Sequence, residues 1–323
     1  MKTYTLNHTD LDVSRIAYGC MGIGRAWGNI DAAEAQKHTA KVIDRALELG
    51  INFFDHADIY ADGRSEELFG EALRGRPDLR ESMVIQTKCG VRFAGTPHAG
   101  APGRYDFSYG HIVASVEGSL RRLGIGQLDI LLLHRPDPLM EPDEVARAFD
   151  DLRRSGKVRH FGVSNFSASQ IALLQGSLDQ PLVVNQVELS LPHHHLINEG
   201  VSFNQGRFDA METTGLLDYC RIHGLRVQPW TPLARGRIFD PPTDATEREL
   251  LLAEAIAAQA ASYGAPAEAI ALAWLLRHPA GLQPVIGTTD AARITRCCQA
   301  DGVDMTREDW YALFNAARGK AVP

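Results

Sequence analysis

The chain has 323 residues, long enough to bury one large core or to split in two, and its 45% hydrophobic and 23% charged content is ordinary for a globular enzyme. A net charge of -7 argues against a nucleic-acid face, which needs a basic surface, though not against a local phosphate pocket. The opening MKTYTLNHTD has no apolar leader core and no later apolar run approaches the ~20 residues of a membrane helix, so the expectation is a cytoplasmic protein that works neither on nucleic acid nor in a membrane.

Residues 3–6 and 12–14 flank Asn7 and predict a short hairpin able to cap the bottom of the main fold. Short apolar runs come next at 15–21, 52–56, 83–88, 128–134, 158–164, 182–188, 226–230 and 283–287. Most are continuous rather than alternating, LDILLLH being the clearest, as strands covered on both faces read. Helical patterns at 32–49, 65–73, 111–123, 142–155, 167–178, 206–223, 246–262 and 266–277 lie among them. Gly50, Gly124, Gly156 and Gly224 stand where a left-handed residue would end a helix, and the Ser167 hydroxyl can cap a helix start.

Eight alternating units favour a closed (β/α)8 TIM barrel, a single domain over residues 1–323 with a short N-terminal β-hairpin. The rival dinucleotide-binding open sheet needs GxGxxG after its first strand and an acid about 20 residues on. The stretch GIGRAWG has the wrong spacing, and no strand ending in an acid follows at that distance. Long loops at 91–110, 192–207 and 233–248 all follow candidate strands and would build the mouth of the barrel.

Ionisable groups gather at those strand ends. His134 closes LDILLLH, where a neutral imidazole can donate to a developing oxyanion or simply hold the following RPDP turn. Lys88 closes MVIQTK and needs an anionic partner if buried; Asp55 and Asp58 are both at hand, and residue type does not choose between them. A Lys–Asp pair beside Tyr60 would stabilise the tyrosinate and bring the phenol down from its ordinary ~10. A tyrosine primed in this way is suited to protonating a carbonyl oxygen while hydride reaches the carbon. Ser164, Asn165 and Gln186 are short polar groups at two later strands, suited to an amide, and Trp230 is a plate on which a flat ring can stack. In the last unit, Gly287 and Thr288 lead to a helix opened by Asp290, whose exposed N–H groups would attract phosphate, with Arg293 one turn in.

Other features read as structural. The five cysteines include no C-x-x-C pair and are odd in number, which indicates neither a disulfide framework nor zinc. Adjacent His193, His194 and His195 cannot easily converge on one ion, so the expectation is no metal and a loop lining the substrate entrance.

The motifs GINFFDHADIY, LLLHRPDP, GKVRHFGVSNF, NQVELS, WTPLARG and VIGTTDAARI, with the strand ending in Lys88, resemble the aldo-keto reductase superfamily over nearly the whole chain. HADIY, KCG, HRPDPLM and KVRHFGVSNF resemble its bacterial YdhF-like oxidoreductases in particular. The resemblance implies a monomeric barrel that binds NADPH and reduces a small-molecule aldehyde or ketone. It places a catalytic tetrad on Asp55, Tyr60, Lys88 and His134, with Tyr60 the proton donor. It places Ser164, Asn165 and Gln186 on the carboxamide and Trp230 against the nicotinamide, whose pocket Cys20 and Met21 line. Thr231, Leu233 and Arg235 match positions along the pyrophosphate, and Thr288 and Arg293 match positions near the 2'-phosphate. Gly287 departs from the pattern, since many family members carry a phosphate-pairing lysine there, and Asp290 adds a negative charge nearby. From their residue types, Trp27, Trp230 and Phe93 would make an aromatic-walled pocket suited to apolar or aromatic carbonyls. The alternative function is a non-catalytic barrel that binds NADPH and reports cofactor state to a partner.

Overall fold

The computed structural model describes residues 1–25, 32–202 and 215–323. Eight parallel strands close into a barrel: β1 (Ala17–Gly19), β2 (Phe53–Asp55), β3 (Val84–Cys89), β4 (Leu128–Leu133), β5 (Val158–Ser164), β6 (Leu182–Glu188), β7 (Arg226–Trp230) and β8 (Val285–Ile286). Each pairs with its neighbours in chain order, and β8 returns to β1 through Val285 opposite Ala17. The continuous apolar runs are thereby explained, because one face of every strand meets the barrel interior and the other meets helices.

The two faces hold different side chains. Outward-facing Tyr18, Phe54, Ile85, Leu131, Leu133 and Phe161 join helix residues such as Phe69, Ile112 and Phe149 in one large apolar cluster. Phe149 stacks on Phe161 with ring centroids 4.0 Å apart. Inward-facing Phe53, Val84, Ile130, Leu132, Val184 and Val285 form a second cluster with Leu6, Leu11 and Val13. Those last three belong to the N-terminal hairpin, Thr3–Thr5 paired antiparallel with Asp12–Ser14, so the hairpin plugs the lower end of the barrel.

Helix ends follow their sequence signals. Gly50, Gly124, Gly156 and Gly224 have φ of 80°, 66°, 71° and 71°, the left-handed values a helix-ending glycine adopts. Ser167 caps Ala168–Gln175 in a reciprocal box with Gln170. The helix expected over 206–223 begins only at Leu216, after left-handed Gly215; residues 206–214 of that expectation, like Trp27, lie outside the described residues. Helix Arg307–Arg318 has no counterpart among the elements predicted from sequence. It packs on Glu247–Tyr263 and stacks Trp310 on Trp274 at 5.3 Å, each indole N–H donating to the other residue's carbonyl. Among the described residues no helix is long and apolar enough to cross a membrane.

Candidate active site

At the carboxyl end of the strands, Lys88 and Asp55 are both buried and paired at 2.7 Å. The Lys88 ammonium donates to Asp55 Oδ2 at 2.7 Å, to the His56 carbonyl at 2.8 Å and to Tyr60 Oη at 3.0 Å. An ammonium has three N–H donors, so all of them are placed. Tyr60 therefore accepts from Lys88 and keeps its own phenolic proton for another acceptor. The ion pair selects Asp55 over Asp58 as the partner of Lys88.

Electrostatics follow from depth. Burial works against the Lys88 charge, but the Asp55 carboxylate and the Tyr60 oxygen more than offset it and hold the ammonium above its ordinary value. Burial pushes the Tyr60 phenol up, and Lys88, pulling down, does not fully cancel it. The expectation that Lys88 brings the phenol below its ordinary value is corrected on this point: the desolvation of Tyr60 outweighs its charged neighbour. His134 lies edge-on to Tyr60, with ring centroids 6.0 Å apart. Burial, then Lys88 and Arg135, lower His134 to about 3, so its imidazole is neutral at ordinary pH. Among the described residues the buried His134 Nδ1 has no hydrogen-bond partner.

Asp58 faces a different environment. Burial and the neighbouring Glu66 carboxylate push it up to about 7, while a hydrogen bond with Ser115 and the charge of Arg122 pull the other way. Glu66, fully buried, takes Thr87 at 2.6 Å and Arg122 at 2.8 Å.

Beneath the ion pair lies a layer of buried glutamines that, apart from Gln186, no sequence motif singles out. Gln86 donates to Asp55 Oδ1 at 2.7 Å and to Gln228 Oε1 at 2.9 Å. Gln186 donates to the same Gln228 oxygen at 3.1 Å; Gln228 donates to Gln283 at 2.9 Å, and Gln283 to the Ser14 carbonyl at 2.8 Å. The signal available was the period of two: Gln86 precedes Lys88 by two residues and Gln228 precedes Trp230 by two, so each shares an inward face with a mouth residue.

The structure gathers Ser164, Asn165, Gln186 and Trp230 at the far side of the mouth. Ser164 donates to the Gln186 carbonyl at 2.8 Å, and Asn165 donates to the His134 carbonyl at 3.2 Å and to Ser164 Oγ at 2.9 Å. The Trp230 indole N–H donates to Asn165 Oδ1 at 3.1 Å. The Gln186 side chain uses one of its two amide hydrogens, leaving the other and its Oε1 without a partner among the described residues. Cys20 is buried and its N–H donates to the Asp55 carbonyl, whereas Met21 is exposed at the start of a short helix.

Backbone strain concentrates here. Asn165, Thr231, Ala234 and Arg235 have φ of 64°, 51°, 47° and 55°, and Ala61 and Asp62 follow Tyr60 at 50° and 56°. Among the described non-glycine residues, His8 alone has positive φ elsewhere. Such conformations cost of order 1–3 kcal/mol each and cluster at ligand sites. Leu233 packs against the core beside them.

The last unit differs from its expectation in one respect. Asp290 caps helix Ala291–Cys298 with its own carboxylate, which accepts from the N–H of Ala292 at 2.8 Å and of Arg293 at 3.2 Å. Those N–H groups are therefore not free for phosphate; the bonds hold the Asp290 carboxyl below its ordinary value. The side chains of Arg235 and Arg293 are exposed and without ion-pair partners among the described residues. At Gly287 a Cβ would find its nearest neighbour 4.0 Å away, so the space beside it is open. Phe93 is exposed on the hairpin Val91–Arg92 with Arg104–Tyr105, and the His193–His195 stretch is held inward by His194, buried against Phe314 with Nδ1 on the Leu191 carbonyl.

The chain matches the aldo/keto reductase family over residues 15–316. It is similar to the 6-dehydroglucose reductase of Novosphingobium aromaticivorans, 38% identical over 98% of this chain and 96% of that protein. It is similar to the oxidoreductase YdhF of Escherichia coli, 39% identical over 92% and 93%. Among solved structures, the glycerol dehydrogenase of Gluconobacter oxydans superposes with a TM-score of 0.82 at 26% identity, covering 99% of this chain and 96% of that one. With a closed eight-stranded barrel and matches of this extent, the chain belongs to the aldo/keto reductase family and is an oxidoreductase.

Proposed function

We propose that the protein reduces an aldehyde or ketone with NADPH and that Tyr60 delivers the proton to the carbonyl oxygen. The observation that carries this reading is the saturated Lys88 ammonium, because it makes Tyr60 Oη an acceptor toward Lys88 and turns the phenolic proton to other use. Lys88 then steadies the negative charge that Tyr60 gains as the proton leaves, and Asp55 keeps Lys88 charged. His134, neutral, can donate a second hydrogen bond to the same carbonyl oxygen.

The residues present suit the cofactor. The Gln186 side chain keeps an amide N–H and its Oε1 unused, matching a carboxamide. Trp230, its indole N–H fixed on Asn165, supplies an aromatic ring near them, and the chain turns left-handed at Thr231 and Arg235 just beyond it. Thr288 adjoins Gly287, beside which the space is open, and exposed Arg293 follows one turn into the next helix, a guanidinium suited to a 2'-phosphate. NADPH, when bound, supplies the hydride. The substrate class we assign is a small, oxygen-rich carbonyl compound, since two similar proteins are named for 6-dehydroglucose and glycerol.

Titrating NADPH and NADH against tryptophan fluorescence, then following NADPH consumption with a panel of aldehydes and ketones, tests both halves of the reading. Tighter binding of NADPH and carbonyl-dependent consumption are expected. Binding without turnover on any carbonyl would favour the sensor barrel instead.

A further inference from the structure

Arg135 follows His134 directly at the end of β4 and is half-buried. Its guanidinium carbon lies 5.6 Å from the centroid of the Trp230 ring, a cation–π contact. Its charge is close enough to His134 to help lower that imidazole. Such a contact engages none of the five guanidinium N–H donors, and among the described residues Arg135 has no hydrogen-bond or ion-pair partner.

The contrast with other half-buried arginines is informative. Arg15 pairs with Asp301, Arg80 and Arg159 share Asp129, and Arg122 pairs with Glu66. Lys88, also a cation of the mouth, is neutralised by Asp55. A half-buried guanidinium whose donors no described protein group takes up is open to an acceptor from a ligand, and on the reductase reading the space beside His134 and Trp230 is where the carbonyl compound enters.

Resting on the reductase reading above, we infer that Arg135 is a specificity-determining residue that binds acceptor oxygens, hydroxyl or carboxylate, borne by the substrate within a few bonds of its reacting carbonyl. Its planar fork suits two oxygens on adjacent atoms or on one carboxylate.

The test compares three substrates of similar size: butanal, D-glyceraldehyde and 4-oxobutanoate. Arg135→Leu should lower kcat/KM for an oxygen-bearing substrate relative to butanal by roughly 10- to 100-fold, as loss of a charge-assisted hydrogen bond would, and chiefly through KM. Arg135→Lys, which keeps the charge and loses the fork, should recover the ratio in part for 4-oxobutanoate and not for D-glyceraldehyde if a carboxylate is the natural group. Recovery for neither marks hydroxyls as that group. Ratios within about twofold of the parent for both oxygen-bearing substrates, in either variant, would overturn the inference. A parent enzyme that binds NADPH but consumes it with none of the three and with no carbonyl of the wider panel would overturn the reductase reading itself.

Discussion

Asp55, Tyr60, Lys88 and His134 were legible because an acid, a phenol, an amine and an imidazole at the ends of apolar runs have few structural reasons to be there. Depth was not legible. The upward displacement of the Tyr60 phenol depends on how completely it is enclosed, and the choice of Asp55 over Asp58 depends on Asp55 ending strand β2 while Asp58 lies in the turn beyond it. Gln86, Gln228 and Gln283 escaped notice because glutamine is usually a surface residue, and only the closed barrel turns them into an amide layer under Asp55. Asp58 carries a prediction at this scale. Its folded value of about 7 lies above the ordinary 3.8, so the stabilisation linked to its proton is present below the ordinary value and lost as pH rises through about 7. Asp58→Asn should therefore stabilise the protein at pH ~8 relative to the parent and have less effect at pH ~5. Urea midpoints measured at both pH values check this; a variant equally displaced at both would show that Asp58 is not held protonated.

At the scale of elements, all eight strands and most helices stand near their expected places, since burial on two faces leaves a clear apolar signature in each strand. What the pattern hid was the helix Arg307–Arg318, whose contacts with Glu247–Tyr263 come from its position beyond the last barrel unit rather than from a repeat. The phosphate expectation at helix Ala291–Cys298 was modified by a local rule, because an aspartate at a helix start caps it. Gly162 in β5 shows how tightly neighbouring strands pack inside the barrel: a Cβ there would sit 2.7 Å from Leu132 Cδ2 and 2.7 Å from the Val184 carbonyl oxygen. The Val184 oxygen belongs to the backbone of β6 and cannot turn aside. Gly162→Ala should destabilise the fold by about 1–3 kcal/mol, read as a lower urea midpoint with an unchanged slope. A midpoint equal to the parent's would mean that β5 and β6 separate without cost.

The whole molecule is a stack of layers along the barrel axis. The hairpin and an apolar layer close the bottom, the glutamines bridge the middle, and the Lys88–Asp55 pair carries Tyr60 at the top. Each layer supports the one above, from the Ser14 carbonyl through Gln283, Gln228 and Gln86 to Asp55 and Lys88. On the proposed reading the phenol serves the chemistry and not the binding of the cofactor. Stopped-flow consumption of NADPH by Tyr60→Phe, paired with a cofactor titration of the same variant, tests that separation most directly. Carbonyl-dependent consumption should fall by roughly 100- to 10,000-fold while the NADPH dissociation constant stays within about twofold. Turnover retained within about tenfold of the parent, or NADPH binding lost in step with turnover, would contradict the account.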